Sequence, residues 1–461
     1  MQLYNSLNKK LYDTTNKQHL KIYCCGPTIY NDSHLGHART YIIFDSIVKY
    51  LRLTGKQVTY AMNITDIDDK IIKKVNEQKL DYNTFIKKQE KSFFDDLKSL
   101  NIDMPNKISR ASDVIDDINK FIQILIDKKY AYESNGSVYF DVENHKYKNI
   151  MSNSNTNDIV IKNTHVTDKK NNKDFVLWKN NKDLPWKSPW GNGRSGWHIE
   201  CSVMMKNMLG KNIDIHCGGC DLMFPHHHNE FLQTSAYYDD PNWIECFIHS
   251  GHLHINNVKM SQSLRNYTTI KKFLESYNSN QMRILFLSGK WNQSCNLDEK
   301  TIEYAIFCDK RFYNFTKYLE TMEISATKLS DIIFPNIEKD FNNDFDSPNA
   351  IKNVLSFIDD FYLKKINKIN EENLNNIMKS FKFFLDVLGI KYIKYNEETT
   401  NNVKPYIETI VDIRSKIKEI IKNGDKNPEL YKLCDWIRDH KLPEFNVILQ
   451  DNKNSSKWFF K

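Results

Sequence analysis

LKIYCCGPTIYNDSHLGHARTYIIFDSIVKYLRLTGKQVTYAMNITD, residues 20–66, decides the fold class. LKIYCCG (20–26) is a short apolar run that ends at a glycine and reads as a buried strand. A short loop, PTIYNDS, leads into HARTYIIFDSIVKYLRLTG, where Ile43, Phe44, Ile47, Val48 and Leu51 recur at helical spacing and Gly55 is a C-cap candidate. QVTYAMNITD (57–66) reads as a second strand. Strand, helix and strand within this length begin a parallel α/β sheet.

The 461-residue chain is long enough for two to four domains and a large core. Hydrophobic residues make up 40% and charged residues 27%, a globular composition. The sequence holds no run of eighteen apolar residues and its first twenty residues hold no apolar signal core, so a chain outside the membrane is expected. Nine cysteines scattered over this length argue against a disulfide framework and for the reducing cytoplasm. A net charge of +7 is compatible with nucleic acid and decides nothing alone. Residues 100–190 are polar and irregular with hairpin-like pieces such as GSVYFDV, which suggests an insertion splitting the sheet domain. Strand and helix signals return over 196–255, and from about 300 the pattern is mostly helical, with 320–345 a candidate linker.

Three motifs carry chemistry. HLGH (34–37) places two histidines on one face at a helix start, with Gly36 between them, a cradle for an anion such as a triphosphate. Alone it also fits two surface histidines on a turn. KMSQS (259–263) is a polar loop with one lysine. HCGGCDLMFPHHHNE (216–230) offers a C-x-x-C pair, four histidines and a glutamate, which is rich in metal-ligand chemistry. Its Cys217 and Cys220 alone admit a structural zinc or a redox pair.

HLGH after the first strand together with a KMSxS-type loop after the last is the mark of class I aminoacyl-tRNA synthetases. The chain resembles the cysteinyl-tRNA synthetase family among them. The resemblance runs over residues 1–461 through YCCGPTIYNDSHLGHART, NITDIDDKII, DFVLWK, SPWGNGRSGWHIECS, DLMFPHHHNE, HSGHLHINNVKMSQS, NDFDSP and the tail SKWFFK. It implies a doubly wound, Rossmann-like parallel-sheet catalytic domain in two halves, 1–100 and 191–255, split by a connective-peptide insertion at 101–190. A stem-contact region with the KMSQS loop (256–320), a helical anticodon-stem domain (321–400) and a small C-terminal anticodon-binding module (401–461) would follow. The implied reaction is activation of L-cysteine by ATP, accompanied by Mg2+, and transfer to the 3′ end of tRNA(Cys). A monomer is expected. An ATP-dependent ligase joining cysteine to a small amine is the competing reading, and a redox zinc protein built on CGGC leaves HLGH and KMSQS unexplained.

The resemblance also implies site residues. One zinc per chain would be held by Cys25, Cys201, His226 and Glu230 rather than by the C-x-x-C pair. His226 and Glu230 stand four residues apart, so they share a face if Pro225 starts a helix. Cys24, next to Cys25 on the strand, would point to the other face as a core thiol. Zinc would take the substrate as a thiolate, which selects cysteine over serine without an editing domain. His34, His37 and Lys259 would be catalytic; Thr28, Gly36, Met260, Ser261, Gln262 and Ser263 would join them around ATP. Gly26, Thr65, Trp197, His216 and Asp221 would hold the amino acid. Read from the residues themselves, Asp435 and Trp436 in the aromatic–acidic cluster CDWIRD fit either stacking on and hydrogen-bonding to unpaired bases or a packed helix end. Two departures from the family pattern stand out. His228 replaces the usual glutamate of that motif, and the loop reads KMSQSLRN, with Gln262 for the usual lysine and Arg265 for the usual glycine; either the positive charge has moved to Arg265, or Arg265 is a surface residue and Lys259 alone suffices.

Overall fold

A computed structural model describes residues 1–148, 150–151, 168–260, 267–325, 333–364, 366, 368–392, 397–422, 427–442, 447–451 and 456–460. The chain divides into two compact units, one made of residues 1–312 and 322–391, the other of 313–321 and 392–461.

The first unit is built on a five-stranded sheet. Its strands are β1 (His19–Cys24), β2 (Gln57–Ile64), β3 (Lys107–Arg110), β4 (Ile213–Gly219) and β5 (Ile244–Ser250). Their order is β5-β4-β1-β2-β3, and every pairing is parallel. Parallel neighbours need crossovers. The helix α1 (Leu35–Leu53) supplies the first, between β1 and β2; α2 (Asp69–Gln78) and α3 (Tyr82–Ser99) supply the second. The helices α4 (Trp197–Leu209) and α5 (His228–Tyr238) precede and follow β4. The order reverses between β1 and β4, and such a switch point opens a crevice at the carboxyl ends of the strands.

The apolar stripe read from the sequence does the packing. Ile43, Phe44, Ile47, Val48 and Leu51 of α1 are all buried. The helix ends at Leu53 with Thr54 as its cap, and Gly55 follows at φ +88°. Between β3 and β4 a separate antiparallel sheet of 131–134, 137–140, 175–180 and 193–195 carries the hairpin signal of GSVYFDV. A three-stranded sheet of 253–255, 258–259 and 295–297 carries Lys259. Residues 322–391, including α7 (Glu371–Leu388), group with this unit. The α6 helix (Ser279–Leu287) places the fully buried Arg283 between these parts. Arg283 donates to Asp45 Oδ2 of α1 at 2.5 Å, to Ser46 Oγ at 3.0 Å, to the Leu100 carbonyl beyond α3 at 2.9 Å, and to the Leu388 carbonyl that ends α7. One guanidinium thus satisfies two helix C-termini and a buried carboxylate.

The second unit has helices at 397–422 and 428–436 and a hairpin of 447–451 with 456–460. Ile407, Ile437, Leu442, Val447 and Leu449 form its small core. The buried Arg414 makes two 2.7 Å bonds to the Asp451 carboxylate. Among the described residues no helix is long and apolar enough to cross a membrane.

Two measurements follow. Replacing Arg283 with Met leaves Asp45 and two helix ends without their shared donor, and is expected to cost about 3–5 kcal/mol in denaturant unfolding. The second concerns Asp96 on α3, which is buried with an Oδ2 that has no hydrogen-bond partner among the described residues. Burial pushes this carboxyl up to about 6. In acid it is neutral in folded and unfolded chains alike. As pH rises from about 4 to 6 the unfolded chain ionises first, so native stability falls across that window. Asp96→Asn should remove this fall and raise the melting temperature at pH 7 relative to the unsubstituted chain, with little difference below pH 4.

Candidate metal centre and adjoining motifs

Cys25 stands one residue beyond β1, and its N–H still pairs with the Cys217 carbonyl of β4 at 3.0 Å. Its thiol therefore faces the crevice at the switch point. Cys201 comes from α4, and His226 and Glu230 come from the segment after β4. Cys25 Sγ lies 3.9 Å from Cys201 Sγ, 3.6 Å from His226 Nε2 and 3.7 Å from Glu230 Oε1. Cys201 Sγ is 3.5 Å from His226 Nε2, which is 2.8 Å from Glu230 Oε1. All four residues are buried. With zinc bonds of about 2.3 Å to sulfur and 2.0–2.2 Å to nitrogen or oxygen, tetrahedral edges run near 3.3–3.8 Å. The donor set fits such an ion, and so do the sulfur distances of 3.5–3.9 Å, while His226 and Glu230, hydrogen-bonded at 2.8 Å, would part by about half an ångström to take it.

Pro225 opens the helical run as expected: Phe224 before it is extended (φ −138°, ψ 131°), and a wide first turn from Pro225 runs on into the α-helix at His228. A residue before proline is pushed out of the helical region. His226 and Glu230 therefore meet at i, i+4 on one face of that run.

Electrostatics inside the cluster are strong. Its sulfur contact with Cys25 leads the causes that lower the Cys201 thiol to about 6, while burial raises that of Cys25. Burial opposes charge on both His226 and Glu230, but Glu230 and then Cys201 raise His226 to about 10, and His216 and then His226 lower Glu230 to about 2. The other His226 nitrogen, Nδ1, is 2.8 Å from His198 Nδ1, and Trp197 stacks on the His226 ring at 4.2 Å. Trp197 itself stays partly open to solvent.

A second group, Cys25 with His216, His227 and Glu230, also has its ligand atoms within 4.8 Å of one another. His216 Nε2 is 2.7 Å from Glu230 Oε2, and His227 Nε2 is 3.3 Å from Cys25 Sγ. His227 Nδ1 meets His249 Nε2 at 2.7 Å. These contacts orient the thiol and carboxylate of the first group. Sequence reading overlooked His198, His227 and His249. The available signal was the position of His249 at the carboxyl end of β5, level with Gly218 of β4. Cys217, buried on β4 and donating to the Tyr23 carbonyl, belongs to neither group, nor do Cys220, Cys24 and His228.

The HLGH motif forms the start of α1. His34 is the N-cap, and each histidine's Nδ1 faces the other's backbone N–H at 3.4 Å. The rings stack at 3.8 Å and 9°, and burial lowers both imidazoles toward the neutral form. A Cβ on Gly36 would lie 2.9 Å from the Met260 methyl and 3.1 Å from the His34 ring, so the methionine or the ring would have to shift to admit it. The two motifs are therefore in contact. Leu35 and Ser33 also pair with Thr268 and Ile270 through backbone bonds of 3.0 Å. Lys259 Nζ is 3.4 Å from His252 Nε2. Ser261, Gln262, Ser263 and Arg265 lie outside the described residues.

Gly26 N donates to Asn63 Oδ1 at 2.8 Å, and a Cβ there would overlap the Asn63 carbonyl. Thr28 and Thr65 form a bridge, with Asn63 Nδ2 donating to Thr65 Oγ1 at 3.2 Å. Asp221 is close enough to favour charge on His34. Asp435 and Trp436 lie in the second unit; Asp435 pairs with Arg438 at 3.1 Å and Trp436 is exposed.

Residues 11–306 match the family model of tRNA synthetases class I (C) catalytic domain. A cysteine–tRNA ligase of Encephalitozoon cuniculi is 35% identical, covering 99% of this chain and 98% of that one. A cysteine–tRNA ligase of Methanococcus aeolicus is 36% identical, with 99% of each chain covered. Among solved structures, a Mycobacterium tuberculosis methionyl-tRNA synthetase in complex with methionyl-adenylate aligns with TM-score 0.58 and 13% identity over 80% of this chain and 89% of that one. The Thermus thermophilus arginyl-tRNA synthetase aligns with TM-score 0.51 and 10% identity over 85% of each. The structural likeness is one of fold.

Metal analysis tests the ligand set. Cys201→Ala is expected to purify without zinc and Cys217→Ala with one ion per chain; the reverse pattern would move the site to the C-x-x-C pair. In the same region, Gly36→Ala should slow adenylate formation, since the added methyl must displace Met260 or the His34 ring.

Proposed function

Because the chain belongs to the cysteine–tRNA ligase family of class I tRNA synthetases, we propose that it activates L-cysteine with ATP and transfers the cysteinyl group to the 3′-terminal ribose of tRNA(Cys). The observation that carries this reading is the buried Cys25–Cys201–His226–Glu230 cluster at the sheet edge where α1 presents HLGH.

The cysteine carboxylate attacks the α-phosphate of ATP, which gives cysteinyl adenylate and pyrophosphate. His34 and His37, neutral and stacked at the α1 start, donate hydrogen bonds to phosphate oxygens as charge builds there. Lys259, with Met260 and the residues 261–263, closes over the phosphates, and the contact of Met260 with Gly36 supports that role. Thr28 borders ATP, which enters with Mg2+. Gly26, Thr65, His216 and Asp221 hold the amino acid, and Trp197 covers it. A ribose hydroxyl of the tRNA then takes the acyl group from AMP.

Selection between cysteine and serine is the hard step. A pocket asked to reject a near isostere by shape reaches only about 10². Cys25, Cys201, His226 and Glu230 would hold one zinc, which supplies a soft acceptor position favouring thiolate over hydroxyl. His216 and His227 fix Glu230 and Cys25 for that task.

Asp435 and Trp436 are proposed contacts for unpaired anticodon bases, supported by the exposure of Trp436. The division into catalytic halves 1–100 and 191–255, insertion 101–190, stem-contact region 256–320, helical domain 321–400 and C-terminal module 401–461 is part of the same proposal. So are a monomeric state and a cytoplasmic location, the latter supported by nine free thiols. A ligase for a small amine acceptor is not favoured, since the relatives match through the helical C-terminal third as well.

ATP–pyrophosphate exchange with each of the twenty amino acids tests the reading. Cysteine alone should support exchange, with serine at background. Glu230→Gln should lose zinc and cut cysteine activation by at least about tenfold; a metal-free protein that keeps the full preference for cysteine over serine would refute the thiolate argument.

A further inference from the structure

Arg39 lies on α1, two residues past His37, and is buried to 1% exposure. Its main hydrogen-bond partners among the described residues are backbone carbonyls, and the Cys295 thiol of the same small sheet adds a side-chain contact. Nη1 donates to Gly251; Nη2 donates to Gln293 at 2.6 Å and stands 3.5 Å from the carbonyls of Lys290 and Trp291. Nε is buried without a partner among the described residues. A buried guanidinium with no carboxylate bonded to it is costly.

The carbonyls it holds belong to one small structure. Gly251 is the link from β5 to the strand 253–255, and Gln293 leads into the strand 295–297 that pairs with it. Gly251 packs flat on the Gln293 carbonyl, and Cys295 N–H bonds to the His252 carbonyl at 2.9 Å. The third strand of that sheet carries Lys259, whose Nζ is 3.4 Å from His252 Nε2. Beside this junction, Thr40 Oγ1 of α1 meets Ser250 Oγ at 2.9 Å. The helix that presents His34 and His37 and the sheet that presents Lys259 are therefore bolted together at the base, with Met260 on Gly36 as the contact at the tip.

We propose that Arg39 is a positioning residue for ATP activation, holding the Lys259-bearing sheet at a fixed distance from the HLGH histidines through its planar fork on the Gly251 and Gln293 carbonyls. The fork matters because two carbonyls on different segments are gripped at once, which a single ammonium cannot copy. Small displacements of a phosphate ligand are expensive, on the order of 10²-fold for 1 Å.

The inference rests on the reading of Lys259 as a phosphate ligand, and a double-mutant cycle separates the two. Zinc-loaded full-length chains carrying Arg39→Gln, Lys259→Met or both are compared in adenylate formation and in single-turnover transfer of the cysteinyl group from preformed adenylate to tRNA. Arg39→Gln is expected to slow adenylate formation on the order of a hundredfold, to leave transfer within about threefold of the unsubstituted enzyme, and to cost little further once Lys259 is already Met. Arg39→Lys should fall between, and it replaces Arg39→Gln in the cycle if that variant does not fold. Additive losses, or equal losses in both steps, would overturn the positioning role while leaving Lys259 in place. Normal activation by Lys259→Met would overturn the reading of Lys259 and the role of Arg39 with it.

Discussion

The thiol of Cys25 can reach the side chains of Cys201, His226 and Glu230 only because β1 and β4 are parallel neighbours. Their pairing, with Tyr23 level with His216 and Cys24 level with Cys217, brings both strands to their carboxyl ends at the same edge. Cys25 leaves β1 there, and the chain leaving β4 turns at Phe224–Pro225 to return His226 and Glu230 to that edge. The packing of α4 against the sheet brings Cys201 to the same point. A one-residue slip between β1 and β4 would turn His216 away from Glu230 and carry Cys25 out of the cluster. The rest of the candidate site inherits its geometry from that register, since α1 begins a short loop beyond Cys25.

Much of this was legible in the sequence because it is local. The strand–helix–strand reading of residues 20–66 rests on periodicities of two and 3.6, and the burial of Ile43, Phe44, Ile47, Val48 and Leu51 follows it. The four-residue interval between His226 and Glu230 is likewise a local feature. What sequence could not give is set by distance along the chain. His249 touches His227, Arg39 grips Gln293, and Arg283 reaches Asp45 and Leu388; each contact joins segments that no period connects. The helical run that carries His226 and Glu230 was legible too, since Pro225 is a good first residue of a helix and holds the preceding Phe224 extended.

Two buried arginines divide the labour of the first unit. Arg283 is balanced by Asp45, which Lys49 also contacts at 2.5 Å, and its remaining donors close helix ends. Arg39 has carbonyls in place of a carboxylate. The first arrangement resembles a structural rivet. The second leaves positive charge two residues past His37 and beneath the sheet that carries Lys259, where the anionic ligand proposed for those residues would share it.

The position of Arg283 also bears on how the chain can be shortened. A fragment ending near residue 320 would keep all four ligands of the cluster and both sequence motifs. It would lose α7, and with it the Leu388 carbonyl that Arg283 serves and the ring of Phe383 that lies 6.2 Å from Tyr50 on α1. The helix that opens with HLGH would then expose its far end to water. The residues that support α1 therefore extend well beyond the motifs, through the segment 322–391 that groups with the sheet.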